Sequence, residues 1–142
     1  QVHLDVASGE LAFAAAGHPG PLRRTEDGPT AMEPTGRRLG VDLSRRYKTQ
    51  SLTIPPGGFA LLCSAGLLDA RNAAGDRFGA ARLPAIARDH RGTGRELAKA
   101  VLAELRDFLG SGGHPEADVN LVVIERLAGD GGVMEDGGSD DG

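Results

Sequence analysis

The sequence predicts an α+β domain, and three observations carry that prediction. Residues 2–64 hold short segments with apolar residues at alternate positions, the period of a half-buried strand, set apart by glycine- and proline-rich turns. Residues 74–110 change to a spacing of three and four, the period of a helix packed on one face. The run DVNLVVIERL, apolar and β-branched, then returns to strand character. Strands, then helices, then one last strand fit a layered α+β domain rather than a βαβ repeat.

Taken in order, VHLDVASGELAFAAAG predicts a hairpin, with Ser8 and Gly9 supplying the reversal. GHPGPLRR breaks the pattern at Gly17, Pro19, Gly20 and Pro21, and a short strand resumes over residues 21–24. The polar stretch over residues 25–46 predicts a connection without elements of its own, a length that points to a lid-like or functional loop. YKTQSLTI predicts a strand, PPGG a turn, and FALLCS a continuous apolar strand of the kind buried on both faces. In AGDRFGAARLPAIARDH a helix is expected to begin late, because Pro84 fits a first turn and is costly further in. The clearest local signal is TGRELAKAVLAELRDFLG. Thr93 and Glu96 form a capping box, Leu97, Val101, Leu105 and Phe108 share one face, and Gly110 stands where a C-terminal cap belongs.

At 142 residues and 39% hydrophobic content the chain is expected to form one domain with one modest core. The lone Cys63 has no partner for an internal disulfide and reads as a small buried hydrophobe. No apolar stretch approaches the roughly 20 residues that span a bilayer, so no membrane partner and a cytoplasmic location are expected. Gln1 enters a strand pattern at once, which suggests a chain that begins inside something longer. Five of the 20 acids lie after residue 129 and no base does, so residues 1–129 hold 16 bases against 15 acids. A near-neutral domain over residues 1–128 and a disordered acidic, glycine-rich tail over residues 129–142 are therefore expected. The arginine pairs 23–24, 37–38 and 45–46 are interleaved with Glu26, Asp27, Glu33 and Asp42, which argues against nucleic acid as a partner. His3, His90 and His114 have no cysteine or histidine at metal-ligand spacing, and Ser64 has no base near it in sequence, so neither a zinc site nor nucleophilic catalysis is indicated.

The ordered set AFAAAGHPGPL, GRRLGV, LTIPPGGFALLCSAGLLDARNAAGDRFG and PEADVNLVVIER resembles the C-terminal part of the SpoIIE/RsbU-type branch of the PPM metal-dependent serine/threonine protein phosphatases. The resemblance implies a PPM-like β-sandwich flanked by helices, of which this chain supplies the C-terminal portion. It also implies two Mn or Mg ions held by carboxylates, which acidify a bridging water and neutralise phosphoryl oxygens. Gly17, His18, Pro19 and Gly66 match family motif positions, with His18 expected to shape a turn rather than move a proton.

The resemblance implies carboxylates at two places in this stretch, where the chain carries Ala65 and, at the first position of a terminal acid pair, Ala117; a methyl group binds no cation, and Asp118 keeps some capacity if the second position of that pair is the ligand. Asp118 is left as a candidate metal ligand. Asp69 and Glu116 stand close in sequence to the vacant positions, but a displaced carboxylate suits an octahedral magnesium site poorly. The expectation is a degenerate phosphatase domain with no catalytic residue and no bound cofactor. It would act in bacterial partner-switching or stress signalling through an anti-sigma-factor antagonist or a sensor domain of the same chain. The alternative is an active Mn- or Mg-dependent phosphoserine/phosphothreonine phosphatase formed when the chain is joined to an N-terminal half.

Overall fold

A computed structural model describes residues 1–25, 27–41, 46–111 and 113–129, apart from the side chain of Ala80. The tail expected from residue 129 therefore lies outside the described residues from residue 130 onward, as do Glu26, Asp42 and Arg45. The elements are β1 (Val2–Leu4), β2 (Glu10–Phe13), β3 (Leu22–Thr25), β4 (Gly28–Ala31), β5 (Gln50–Thr53), β6 (Phe59–Cys63), α1 (Ala65–Leu68), α2 (Gly79–Asp89), α3 (Gly94–Leu109) and β7 (Leu121–Glu125). They form a three-stranded sheet, β1-β2-β5, and a four-stranded sheet, β4-β3-β6-β7. Every pairing between neighbouring strands is antiparallel.

Strand β6 is central in its sheet and buried on both faces, as its unbroken apolar run predicts. Phe59, Leu61 and Cys63 point into a core shared with Leu67, Phe78, Leu97 and Val101 of the helical layer. Ala60 points the other way, into a second core with Leu11, Phe13, Leu52 and Ile54 of the three-stranded sheet. The period of two along one strand thus creates three layers: helices, sheet, sheet. Arg126, just past β7, ties the layers at one end. Its guanidinium donates to the carbonyls of Ser8 (2.7 Å), Ala7 (3.0 Å) and Ile54 (3.1 Å).

The first hairpin forms as predicted, with a turn built by two residues. The Asp5 carboxylate accepts from the N–H groups of Ala7 and Ser8, and Gly9 adopts φ +76°, which glycine reaches without penalty. Helix α3 carries both halves of its capping box, buries Leu97, Val101 and Leu105, and ends at Gly110 with φ +74°. Phe108 meets Phe78 edge-on at 5.5 Å.

Four expectations are corrected. Helix α2 begins at Gly79, which leaves Pro84 inside it. An interior proline costs about 3 kcal/mol, and burying each of Leu83 and Phe78 returns about 1.5–3 kcal/mol, so tertiary packing outweighs the local penalty. The 25–46 stretch is not free of elements, because Gly28–Ala31 pairs with β3 as an edge strand. Pro29 is tolerated there because an edge has one side with no ladder to complete. The strand expected from residue 47 starts only at Gln50. The strand expected over FALLCS ends at Cys63, and Ser64 instead opens a single helical turn, α1.

Candidate functional site

Strand β6 ends at Cys63, and the chain turns through Ser64, Ala65 and Gly66 against the loop that leads into β7. Ser64 stitches the two together. Its N–H donates to the Asn120 carbonyl at 3.0 Å, and its hydroxyl donates to the Asp118 carbonyl (2.9 Å) while accepting from the Asn120 N–H (3.0 Å). Gly66 makes the approach possible. A β-carbon there would collide with the Asp118 carbonyl oxygen and stand 2.9 Å from that of Ala117. Two segments far apart in sequence therefore abut, with the 64–66 turn against residues 117–120.

The residues present do not fit a divalent cation. Hard cations need several oxygen ligands, whereas Ala65 and Ala117 are exposed methyl groups and Asp118 is one exposed carboxylate. Among the described residues no three His, Cys, Asp or Glu side chains gather closely enough to hold an ion. Asp69 is turned to other work: its carboxylate pairs with Arg77 at 3.3 Å. Both line a cavity of about 320 Å³ on the helical side of β6, with Leu68, Leu83 and Pro84. Ser64 and Asn120 instead line a groove of about 410 Å³ between the two sheets. Asp69 thus opens away from the turn it would have to serve. Glu116 is exposed next to Ala117.

That groove is mainly apolar. Phe13, Leu62 and Val122 form much of its wall, and Val122 keeps 54% of its surface exposed. His18 stands at the rim, with Nδ1 2.8 Å from the carbonyl of Pro19, a contact that becomes a hydrogen bond when Nδ1 carries the proton. Gly17 donates its N–H to the carbonyl of Gly36 at 2.9 Å, which anchors the Gly17–Pro19 turn to the long connection. Thr35 adds a second clamp, accepting from the N–H of Ala15 (2.6 Å) and donating to its carbonyl (3.1 Å). Cys63 is 4% exposed, and burial pushes its thiol up to about 11, so it stays protonated and unreactive near neutral pH.

The structure brings Ala65, Gly66, Ala117 and Asp118 into one place, with Gly17, His18 and Pro19 beside the adjoining groove. Sequence reasoning missed Asn120 and the clamping role of Ser64. Their link is main chain to side chain, and no local pattern advertises it. The arginine pairs separate. Arg24 lies 5.3 Å over the ring of Phe59, Arg38 packs over Gly17, and Arg37 and Arg46 line a third depression.

Comparison with known proteins agrees with this architecture. A family model described as Stage II sporulation protein E (SpoIIE) matches residues 2–127. The SiaA-PP2C domain of Pseudomonas aeruginosa is similar at 25% identity and a TM-score of 0.71, over 87% of this chain and 49% of that one. The RsbU and RsbW domains of a Mycobacterium tuberculosis protein are similar at 25% identity and a TM-score of 0.69, over 89% of this chain and 36% of that one. The PP2C phosphatase domain of Bacillus subtilis SpoIIE, with a fragment of its regulatory domain, shares the fold at 14% identity and a TM-score of 0.72, over 86% of this chain and 35% of that one. No curated protein matches the chain. The chain spans half or less of the length of these three structures. The two antiparallel sheets, the helices packed on one of them and the family match over residues 2–127 agree: this chain belongs to the SpoIIE family, and its structural neighbours are PP2C-type phosphatase domains.

Proposed function

We propose that the chain is a PP2C-fold signalling module whose metal chemistry has been lost from this part of the fold. It acts by binding a protein partner in the bacterial cytoplasm, in a partner-switching or stress pathway that regulates a sigma factor. An anti-sigma-factor antagonist or a sensor domain of the same chain is the partner class that the family resemblance implies. One observation supports this reading above the others. The turn 64–66 and the loop 117–120 are clamped by Ser64 and Gly66, while Ala65 and Ala117, the two positions at which the family resemblance implies carboxylates, carry methyl groups. The backbone device persists without the ligands, a pattern that suits a fold kept for recognition.

A second reading is favoured by the partial overlap with the solved relatives. An active metal-dependent serine/threonine phosphatase results if a further segment supplies ligands and the site works with Asp118 and fewer carboxylates. Manganese titration by calorimetry on the full-length protein, with hydrolysis of p-nitrophenyl phosphate alongside, separates the two. The first reading expects no saturable manganese binding and no turnover in the native protein. It also expects a gain of manganese affinity when Ala65→Asp and Ala117→Asp are combined. Tight binding with manganese-dependent turnover in the native protein would sink it.

A further inference from the structure

Residues 34–37, 46–48 and Gln50 line an open depression of about 530 Å³ whose described lining includes Arg37, Arg46 and Lys48 but no acid. All three cations are exposed, while residues 1–129 as a whole are close to electroneutral. The described lining is therefore positive although the chain around it is close to neutral. The floor beneath the charges is fixed. The Tyr47 ring sits against Gly36, where a β-carbon would stand 2.6 Å from the ring, and the Tyr47 hydroxyl donates to the Arg38 carbonyl at 3.4 Å. Gly36 is in turn bridged to Ala16, and Thr35 is clamped to Ala15. The two cation-bearing segments, 36–38 and 46–48, are thus pinned against each other and against the β2 side of the groove.

We infer that this depression docks an acidic, carboxylate-rich segment of a protein partner. The cations come from separate segments around an open basin, which suits several carboxylates along an extended chain better than one phosphate in a closed cradle. Arginine contributes paired N–H donors and lysine a compact point charge, and both are suited to carboxylates. The inference names the partner chemistry of the binding role proposed above. Its test does not involve metal, so the two can fail separately.

The experiment is fluorescence anisotropy on the full-length protein with a labelled dodecapeptide of aspartate, glutamate and glycine. A singly phosphorylated neutral peptide and a single-stranded oligonucleotide of equal length serve as the other arms. The acidic peptide is expected to bind saturably at low salt and to weaken as ionic strength passes the point where the Debye length is about 8 Å. Combining Arg37→Ala with Lys48→Ala should weaken binding about tenfold, an effect of about 1.4 kcal/mol. The single variants Arg37→Gln and Lys48→Gln, at exposed positions, should each show a smaller loss with an unchanged circular dichroism spectrum. The matched pair Arg88→Ala and Arg95→Ala removes the same charge from exposed positions on the helices and should leave binding unchanged. The inference is overturned by any of three results. These are no binding of the acidic peptide, an equal loss in the helix control, or preference for the phosphopeptide or the oligonucleotide.

Discussion

Replacing Ser64 by alanine isolates the device that holds the two halves of the candidate site together. The hydroxyl makes two hydrogen bonds, to the Asp118 carbonyl at 2.9 Å and from the Asn120 N–H at 3.0 Å. Ser64 is also the N-cap residue of α1, but its side chain makes no capping bond, so no helix-capping loss enters the sum. A typical intramolecular hydrogen bond is worth about 0.5–1.5 kcal/mol net. Water reaches this half-buried position and repairs part of the loss, which sets the expected cost of Ser64→Ala at about 1–2 kcal/mol. For a domain of this size that corresponds to a fall in Tm of about 3–8 °C by circular dichroism. Hydrogen exchange adds a local signature, because the Asn120 amide loses its acceptor and should exchange faster while the amides of α3 keep their protection. Ser111→Ala, at an exposed position just past the C-terminal cap of α3, is the control. A Tm within about 1 °C of the native value, with unchanged exchange at Asn120, would refute the clamp.

Two further outcomes are expected. Arg126→Ala removes three bonds to carbonyls of the first hairpin's turn and of Ile54 just past β5, and should cost about 2–3 kcal/mol by urea denaturation. Arg126→Lys should recover only part of that, since lysine keeps the charge without the planar fork. Glu96 sets a pH dependence. Bonds from the Thr93 N–H and hydroxyl hold its carboxyl below the ordinary value of 4.5. A carboxyl lowered in the folded state stabilises the protein above its unfolded value, and that contribution disappears as pH falls through the folded one. Glu96→Gln should therefore flatten the decline in urea midpoint as pH falls below the ordinary carboxyl value of 4.5 and leave the slope near neutrality unchanged. An identical acid limb in the two proteins would remove Glu96 from the account.

The sequence by itself determined the order of strands and helices and the best-formed elements. The unbroken apolar run FALLC predicted a strand buried on both faces, and Phe59, Leu61 and Cys63 do face one core while Ala60 faces the other. The capping box of α3 was legible because its partners lie three residues apart and its energetics are local. The ordered motifs named the family, and the alanines at positions 65 and 117 were visible as soon as those motifs were aligned.

Only the tertiary structure decided the rest, because the deciding energies are long-range. Pro84 lies inside α2 because burial of its neighbours outweighs a local penalty, and no window around Pro84 contains the sheet that supplies that burial. Strand β4, with glycine and proline at its start, exists because β3 offers it an edge. The same holds at the site. Asp69 is close to Ala65 in sequence, yet it opens onto the opposite face of β6, paired with Arg77. Ser64, unremarkable as a residue, proved to be the bond between β6 and the loop before β7. Composition and period are carried by the chain alone, whereas which groups meet across a fold is fixed only when the layers close.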